Sequence, residues 1–188
     1  MDALVPAFLI ALLAELGDRT QLQAMALGER FRPPGAVIAG IALAAIMNMA
    51  IAGAIGMEIA AYIPHRPVQL LTGVALILAG SGAVFRVKAP PTVETWKLGA
   101  LLSSAGAFFI LALGDKTQFA IGALAAGSGY PWLAAAGGAA GVIVGNAPAV
   151  VLGDRWPRIV PLRWLRVGAG ALLGLAGIVL VIVALQIG

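Results

Sequence analysis

The chain contains no cysteine. Disulfides, thiolate metal sites and thiol catalysis are therefore excluded. Charge is nearly as scarce. Only 11% of the residues are Asp, Glu, Lys or Arg, where a soluble domain carries roughly 25%. There is a single histidine, His65. No nucleophile–base pair and no His–carboxylate cluster can be picked out, so the chain does not read as an enzyme. The sequence also lacks any polar stretch long enough to make a soluble domain.

What is present is apolar. Hydrophobic residues make up 61% of the chain and the mean hydropathy is +1.01. Its 188 residues hold about six or seven membrane spans of ~20 residues each. We read an all-α, polytopic membrane protein with six transmembrane helices. They run at about 4–27, 35–60, 68–85, 98–125, 132–153 and 166–187. Residues 1–188 form one membrane domain in this reading, in the cell membrane (the inner membrane for a bacterial protein). The lipid bilayer is the first expected partner, and a homo-oligomer is compatible with it. The first segment does not read as a signal peptide. It has Asp2 where a basic region would stand, and Glu15, Asp18 and Arg19 interrupt its apolar run.

The breaks between segments carry turn chemistry. They are Glu29 to Pro34, Pro64 to Pro67, Arg86 to Pro91, Gly127 to Pro131 and Asp154 to Arg158. Gly and Pro continue a helix only at a cost, and each sits at an expected end. With six spans, Arg30, Arg32, Arg86, Lys88, Lys97, Arg155, Arg158, Arg163 and Arg166 fall on one side. Arg66 alone falls on the other, which is the side of both termini. The positive-inside rule makes the basic side cytoplasmic and puts both termini outside. The net charge of +4 is thus a topology signal, and no nucleic acid is expected. Trp96, Trp132, Trp156 and Trp164, with Tyr62 and Tyr130, fall near helix ends as interfacial anchors.

The chain repeats itself at an offset of 97 residues. Ala14-Glu15-Leu16-Gly17-Asp18-Arg19-Thr20-Gln21 returns as Leu111-Ala112-Leu113-Gly114-Asp115-Lys116-Thr117-Gln118. The same offset pairs Pro34 with Pro131, Gly40 with Gly137, Pro64 with Pro161 and Gly73 with Gly170. Repeat one covers about 1–88 and repeat two about 96–188. Three helices per repeat is an odd number, so the second copy enters the membrane from the opposite side. That is the inverted-repeat plan of many secondary transporters, whose substrate sites lie near the bilayer midplane.

The repeated stretch carries the chemistry. Glu15, Asp18, Arg19, Asp115 and Lys116 all lie inside apolar segments. At about 2.5–3.5 kcal/mol each near the bilayer centre, the five unpaired would cost on the order of 12–18 kcal/mol. A whole domain is stable by only about 5–15 kcal/mol, so they must pair or face a polar interior. On a continuous helix Glu15, Asp18 and Gln21 share one face, as do Ala112, Asp115 and Gln118. If the two motif helices cross, Asp18 meets Asp115 beside Glu15. Gln21, Gln118, Thr20 and Thr117 then add neutral oxygens, and Glu15, Asp18, Asp115, Gln21 and Gln118 make up the expected metal ligands. Oxygen-only ligands suit calcium, manganese or magnesium better than zinc or copper. Asn48 and Asn146 bring further polarity into the second and fifth helices, one residue out of register with each other. Asn146 precedes Pro148, a candidate break. His65 reads as an interfacial loop residue, and Met25, Met47, Met49 and Met57 as packing or lipid-facing residues. The plain alternative is a structural lock, with Asp18 paired to Lys116 and Asp115 to Arg19. That lock leaves Glu15 with no basic partner.

Glu15-Leu16-Gly17-Asp18-Arg19-Thr20 resembles the E-x-G-D-(K/R)-(T/S) signature of a cation/proton exchanger family. The family includes Golgi and chloroplast calcium/manganese transporters and bacterial manganese exporters. The resemblance covers nearly all of the chain. It implies two antiparallel three-helix repeats with one signature each, and export of manganese or calcium from the cytoplasm driven by inward proton flow. It implies that Glu15, Asp18 and Asp115 take part in the cation site. No permanently bound cofactor is implied, and the divalent cation is cargo. The second copy departs from the signature, with Ala112 where the family has glutamate.

Protons and a divalent cation compete for buried carboxylates, so binding the ion releases protons. Exposing such a site to the two sides in turn makes an antiporter, with Arg19 and Lys116 standing in for the cation when the site is empty. An exporter of small organic solutes, and a non-transporting membrane protein held by the lock, are the rival readings.

Overall fold

The computed structural model describes residues 2–85, 87 and 98–186. Arg86, Lys88, Lys97 and Trp96, and with them most of the connection from Arg86 to Pro91, lie outside the described residues. Among the described residues every regular element is helical. The elements are α1 (Leu4–Glu15), α2 (Arg19–Arg30), α3 (Pro34–Tyr62), α4 (His65–Ser81), α5 (Gly99–Ala112), α6 (Lys116–Ser128), α7 (Pro131–Leu152), α8 (Trp156–Ile159) and α9 (Leu162–Leu185). A 3-10 turn follows α4 at Gly82–Val84, and another follows α7 at Gly153–Arg155.

Two expected helices are not continuous. The run over 4–27 is broken at Leu16–Asp18 into α1 and α2. The run over 98–125 is broken at Leu113–Asp115 into α5 and α6, with a bend of 70°. The other four segments form, and their ends move by a few residues. The clearest shifts are the start of α4 at His65 and the start of α9 at Leu162. Pro148 lies inside α7 without ending it. Among the described residues, four helical stretches are long and apolar enough to cross a bilayer: Pro34–Tyr62, His65–Val84, Pro131–Ile159 and Leu162–Leu185. The bent pair α5–α6 makes a fifth if it counts as one span. At 1.5 Å per residue, α1 with its 12 residues reaches only ~18 Å, short of a ~30 Å hydrocarbon core.

Packing uses small residues. α1 lies on α7 and α5 on α3, while α3 packs on α7 and α4 on α9. These pairings obey the 97-residue offset. A Cβ on Gly40 would stand 2.5 Å from the Leu101 carbonyl oxygen. A Cβ on Gly137 would collide with the carbonyl of Leu4, the counterpart of Leu101. Backbone is thus pressed to backbone, which helices in lipid need because apolar contact alone gains little there. The core is mostly alanine, filled out by Leu27, Ile41, Phe108 and Ile121. Leu, Ile and Val point outward along α9, where Leu172, Leu175, Val179 and Val183 are exposed, as on a surface solvated by lipid. Trp132, Trp164, Tyr62 and Tyr130 are exposed near helix ends. His65 is exposed at the start of α4 beside Gln69. Of the methionines, Met47 and Met57 are exposed, Met49 is buried and Met25 is packed on the core.

Candidate functional site

Each helix break is built by the motif itself. Leu16 leaves the helical conformation, Gly17 takes φ +70°, and Asp18 is extended as the N-cap of α2. Leu113, Gly114 at φ +72° and Asp115 do the same before α6. A positive φ is the conformation glycine adopts without steric penalty, so the glycine before each aspartate permits the turn. The amide N–H of Asp18 donates to Glu15 O, and that of Asp115 to Ala112 O.

The glutamines close the breaks. Gly17 N–H donates to Gln21 Oε1 (2.9 Å), and Gln21 Nε2 donates to Gly145 O on α7 (2.7 Å). In the second copy Gly114 N–H donates to Gln118 Oε1 (2.6 Å), and Gln118 Nε2 donates to Asn48 O on α3 (2.9 Å). Gly145 is the counterpart of Asn48 at the 97-residue offset, so the two arrangements match bond for bond. Both glutamine oxygens, expected as metal ligands, are turned to backbone N–H groups of their own breaks.

Neither aspartate spends its carboxylate on capping its helix. The carboxylates cross to the other repeat. Lys116 Nζ lies 3.2 Å from Asp18 Oδ1, and Arg19 Nη2 lies 3.4 Å from Asp115 Oδ1. Arg19 also donates to Leu111 O (3.4 Å). The positive N-terminal ends of α2 and α6 face the same region. Glu15, the last residue of α1, is 2% exposed. Its carboxylate accepts from Thr117 Oγ1 (3.1 Å) and from Asn146 Nδ2 (2.8 Å). No base pairs with it among the described residues. Glu15, Asp18 and Asp115 lie within electrostatic reach of one another. Among the described residues, however, no three acidic or histidine side chains converge tightly enough to hold one ion. The break between Glu15 and Asp18 removes the shared helical face on which the expected cluster depended.

Three buried oxygens around this region have no hydrogen-bond partner among the described residues: Asp115 Oδ2, Asn146 Oδ1 and Thr20 Oγ1. Each such group costs about 1–3 kcal/mol, and oxygen ligands in want of a partner suit a hard cation. Thr117 donates to Glu15, and the residue matching Glu15 in the second repeat is Ala112. The residue matching Asn146 is not Asn48 but Met49, buried in the core. The Glu15–Asn146 pair is therefore replaced in the other half by Ala112 and Met49, both apolar. Asn48 instead ties α3 to the second break. Its Nδ2 donates to Phe109 O (3.3 Å), and its own carbonyl receives Gln118.

Sequence patterning alone does not single out Gln23, Ser103 and Ser104. Gln23 on α2 and the two serines on α5 are buried, and Gln23 Oε1 and both hydroxyls lack partners. Their counterparts Ala120, Pro6 and Ala7 carry no side-chain polar group. A weak signal does exist: each serine interrupts the apolar helix α5, whereas Gln23 stands among the other polar residues of α2.

Apolar outer surfaces around a buried cluster of charge and oxygen define a multi-pass membrane protein with a polar interior. The family model described as "Divalent cation/proton antiporter GDT1" matches residues 3–90 and again residues 100–187. The chain belongs to this family, and it is a transporter and not an enzyme. The two matched segments begin and end 97 residues apart, the offset of the motif. A protein of Vibrio cholerae serotype O1 named "Putative manganese exporter" is 31% identical over 179 residues, covering 94% of this chain and 89% of its own length. No solved structure matches the chain.

Proposed function

We propose that this protein exchanges manganese for protons and exports the metal from the cytoplasm across the cell membrane (the inner membrane in a bacterium), with calcium as a second candidate ion. Glu15, Asp18 and Asp115 form the exchange site, supported by Thr20, Thr117 and Asn146. The crossed ion pairs carry this reading. Each aspartate is neutralised by a base from the other repeat, so an incoming dication can replace two bases at once. Asp115 Oδ2, Asn146 Oδ1 and Thr20 Oγ1 offer further oxygens. Gln21 and Gln118 are assigned to holding the breaks, each keeping one oxygen lone pair for an ion. Protons compete with the metal for the same carboxylates, so apparent metal affinity rises with pH.

In this proposal α1–α2 and α5–α6 are each one broken crossing. Two three-crossing repeats, about 1–88 and 96–188, then sit in opposite orientations with both termini outside. Broken crossings that present helix ends to an ion are a transporter device. The two breaks stand in unequal surroundings, as alternating access requires: Gly17 is buried against α9, whereas Gly114 is exposed. Gln23, Ser103 and Ser104 lie on the cytoplasmic side of the site in this orientation and would line the inner route.

The test is metal flux in proteoliposomes under an imposed pH gradient. Exchange requires manganese to move against the proton gradient and to stop when the gradient is collapsed. Flux indifferent to that gradient rules out exchange. The same crossed pairs favour one other reading, a purely structural lock. Under it, exchanging the partners as Asp18→Lys with Lys116→Asp preserves whatever the protein does. Under exchange, it abolishes transport.

A further inference from the structure

A second cleft opens beside the first helix break. It is a cavity of ≈480 Å³ between Gly17 and Leu22, the end of the α4 segment at Val84, and the start of α9 at Leu162, Arg163 and Arg166. Its chemistry is opposite to that of the exchange site. No Asp or Glu lines it among the described residues. Arg163 and Arg166 are three residues apart, hence on one face of α9. Arg166 Nε donates to Ala83 O (3.0 Å), which fixes that guanidinium. Its other N–H groups, and all of those of Arg163, make no ion pair or hydrogen bond among the described residues. Of the acids nearest in the chain, Asp18, next to Gly17, pairs with Lys116, and Glu29 accepts the Asp154 backbone amide (2.6 Å). The positive end of α9 adds to the field of the two arginines.

Two guanidiniums without a carboxylate repel a metal ion, so this cleft is not the metal's route. Guanidinium geometry matches phosphate through paired N–H donors. We propose that the cleft binds the phosphate of an anionic ligand. Gly17, Leu22, Val84, Val87 and Leu162 line the rest of it, and that apolar wall fits an acyl chain, so an anionic phospholipid is the source the lining favours. Basic pockets between membrane helices bind such headgroups. The ligand would rest against the break. A Cβ on Gly17 would stand 2.7 Å from Leu162 O and 3.0 Å from Arg166 Cβ, so whatever orders the start of α9 also holds the turn before Asp18.

The experiment is a titration of the purified full chain in detergent by native mass spectrometry, with dioleoylphosphatidylglycerol and dioleoylphosphatidylcholine. A preference for phosphatidylglycerol is expected. It should fall roughly fivefold in Arg163→Gln and about thirtyfold in the double variant with Arg166→Gln, at ~1 kcal/mol per basic side chain. Arg163→Lys should recover only part of the affinity, because an ammonium keeps the charge but not the paired donors, and Arg158→Gln, outside the cleft, should leave it unchanged. If the lipids bind alike but millimolar inorganic phosphate raises the melting temperature of the native chain and not of Arg163→Gln, the site is for free phosphate. Arg163→Gln also keeps the test decisive should Arg166→Gln fail to fold. The proposal is overturned if Arg163→Gln binds phosphatidylglycerol as the native chain does and phosphate has no effect on either.

Discussion

Replacing Lys116 by methionine separates exchange from structural locking by thermodynamics alone. Lys116 Nζ lies 3.2 Å from Asp18, with side-chain exposures of 19% and 13%. Removing one partner of a buried pair costs about 3–5 kcal/mol. The residual exposure of both groups puts this pair at the low end, at about 3 kcal/mol. For a chain of this length that corresponds to a melting temperature lower by roughly 6–12 °C. If manganese displaces Lys116 from Asp18, the native chain gives up this pair on binding and the variant does not. The variant should then bind manganese up to about a hundredfold more tightly, and saturating metal should raise its melting temperature more than that of the native chain. The assay is a thermal melt in detergent at pH 8, where proton competition is weak, with and without manganese. A metal-induced rise no larger in Lys116→Met than in the native chain refutes displacement.

Other outcomes follow from the same geometry. Asp18→Asn should abolish manganese exchange in proteoliposomes while circular dichroism shows an intact fold. Joint substitution of Ala112→Glu and Met49→Asn should rebuild the carboxylate–amide pair beside Thr20 and change the number of protons moved per metal ion; an unchanged reversal potential contradicts this. Gly17→Ala should lower the melting temperature more than Gly114→Ala. Both place a side chain at positive φ, at about 1–3 kcal/mol, but only at Gly17 does the new Cβ also meet the Leu162 carbonyl.

The apolar segments, the 97-residue repeat and the motif residues can all be read from the sequence, because each is a local pattern of hydropathy or identity. The breaks at Leu16–Asp18 and Leu113–Asp115 are legible only as glycines directly before the motif aspartates, where a missing side chain permits a kink. A lone glycine is common in membrane helices, and what stabilises each break is a glutamine anchored to a carbonyl of another helix, Gly145 or Asn48. That contact exists only in the folded chain. The crossed pairing of Asp18 with Lys116 and Asp115 with Arg19 is legible as one of two alternatives, since charge balance alone suggests it. The roles of Asn48 and Asn146 are not. Their one-residue displacement looks like an imperfect match in the sequence, whereas the fold gives them different counterparts, Gly145 and Met49. Gln23, Ser103 and Ser104 give only a weak signal in the sequence, because isolated polar residues gain weight only once their burial is known.

Membership of the cross-paired aspartates in the exchange site is tested most directly by following manganese entry and proton movement together. Both are measured in the same proteoliposomes, for the native chain and for Asp115→Asn. Metal-dependent proton movement is expected in the native chain, with loss of both fluxes in the variant. Unaltered, coupled fluxes through Asp115→Asn would contradict a role for the aspartates in exchange.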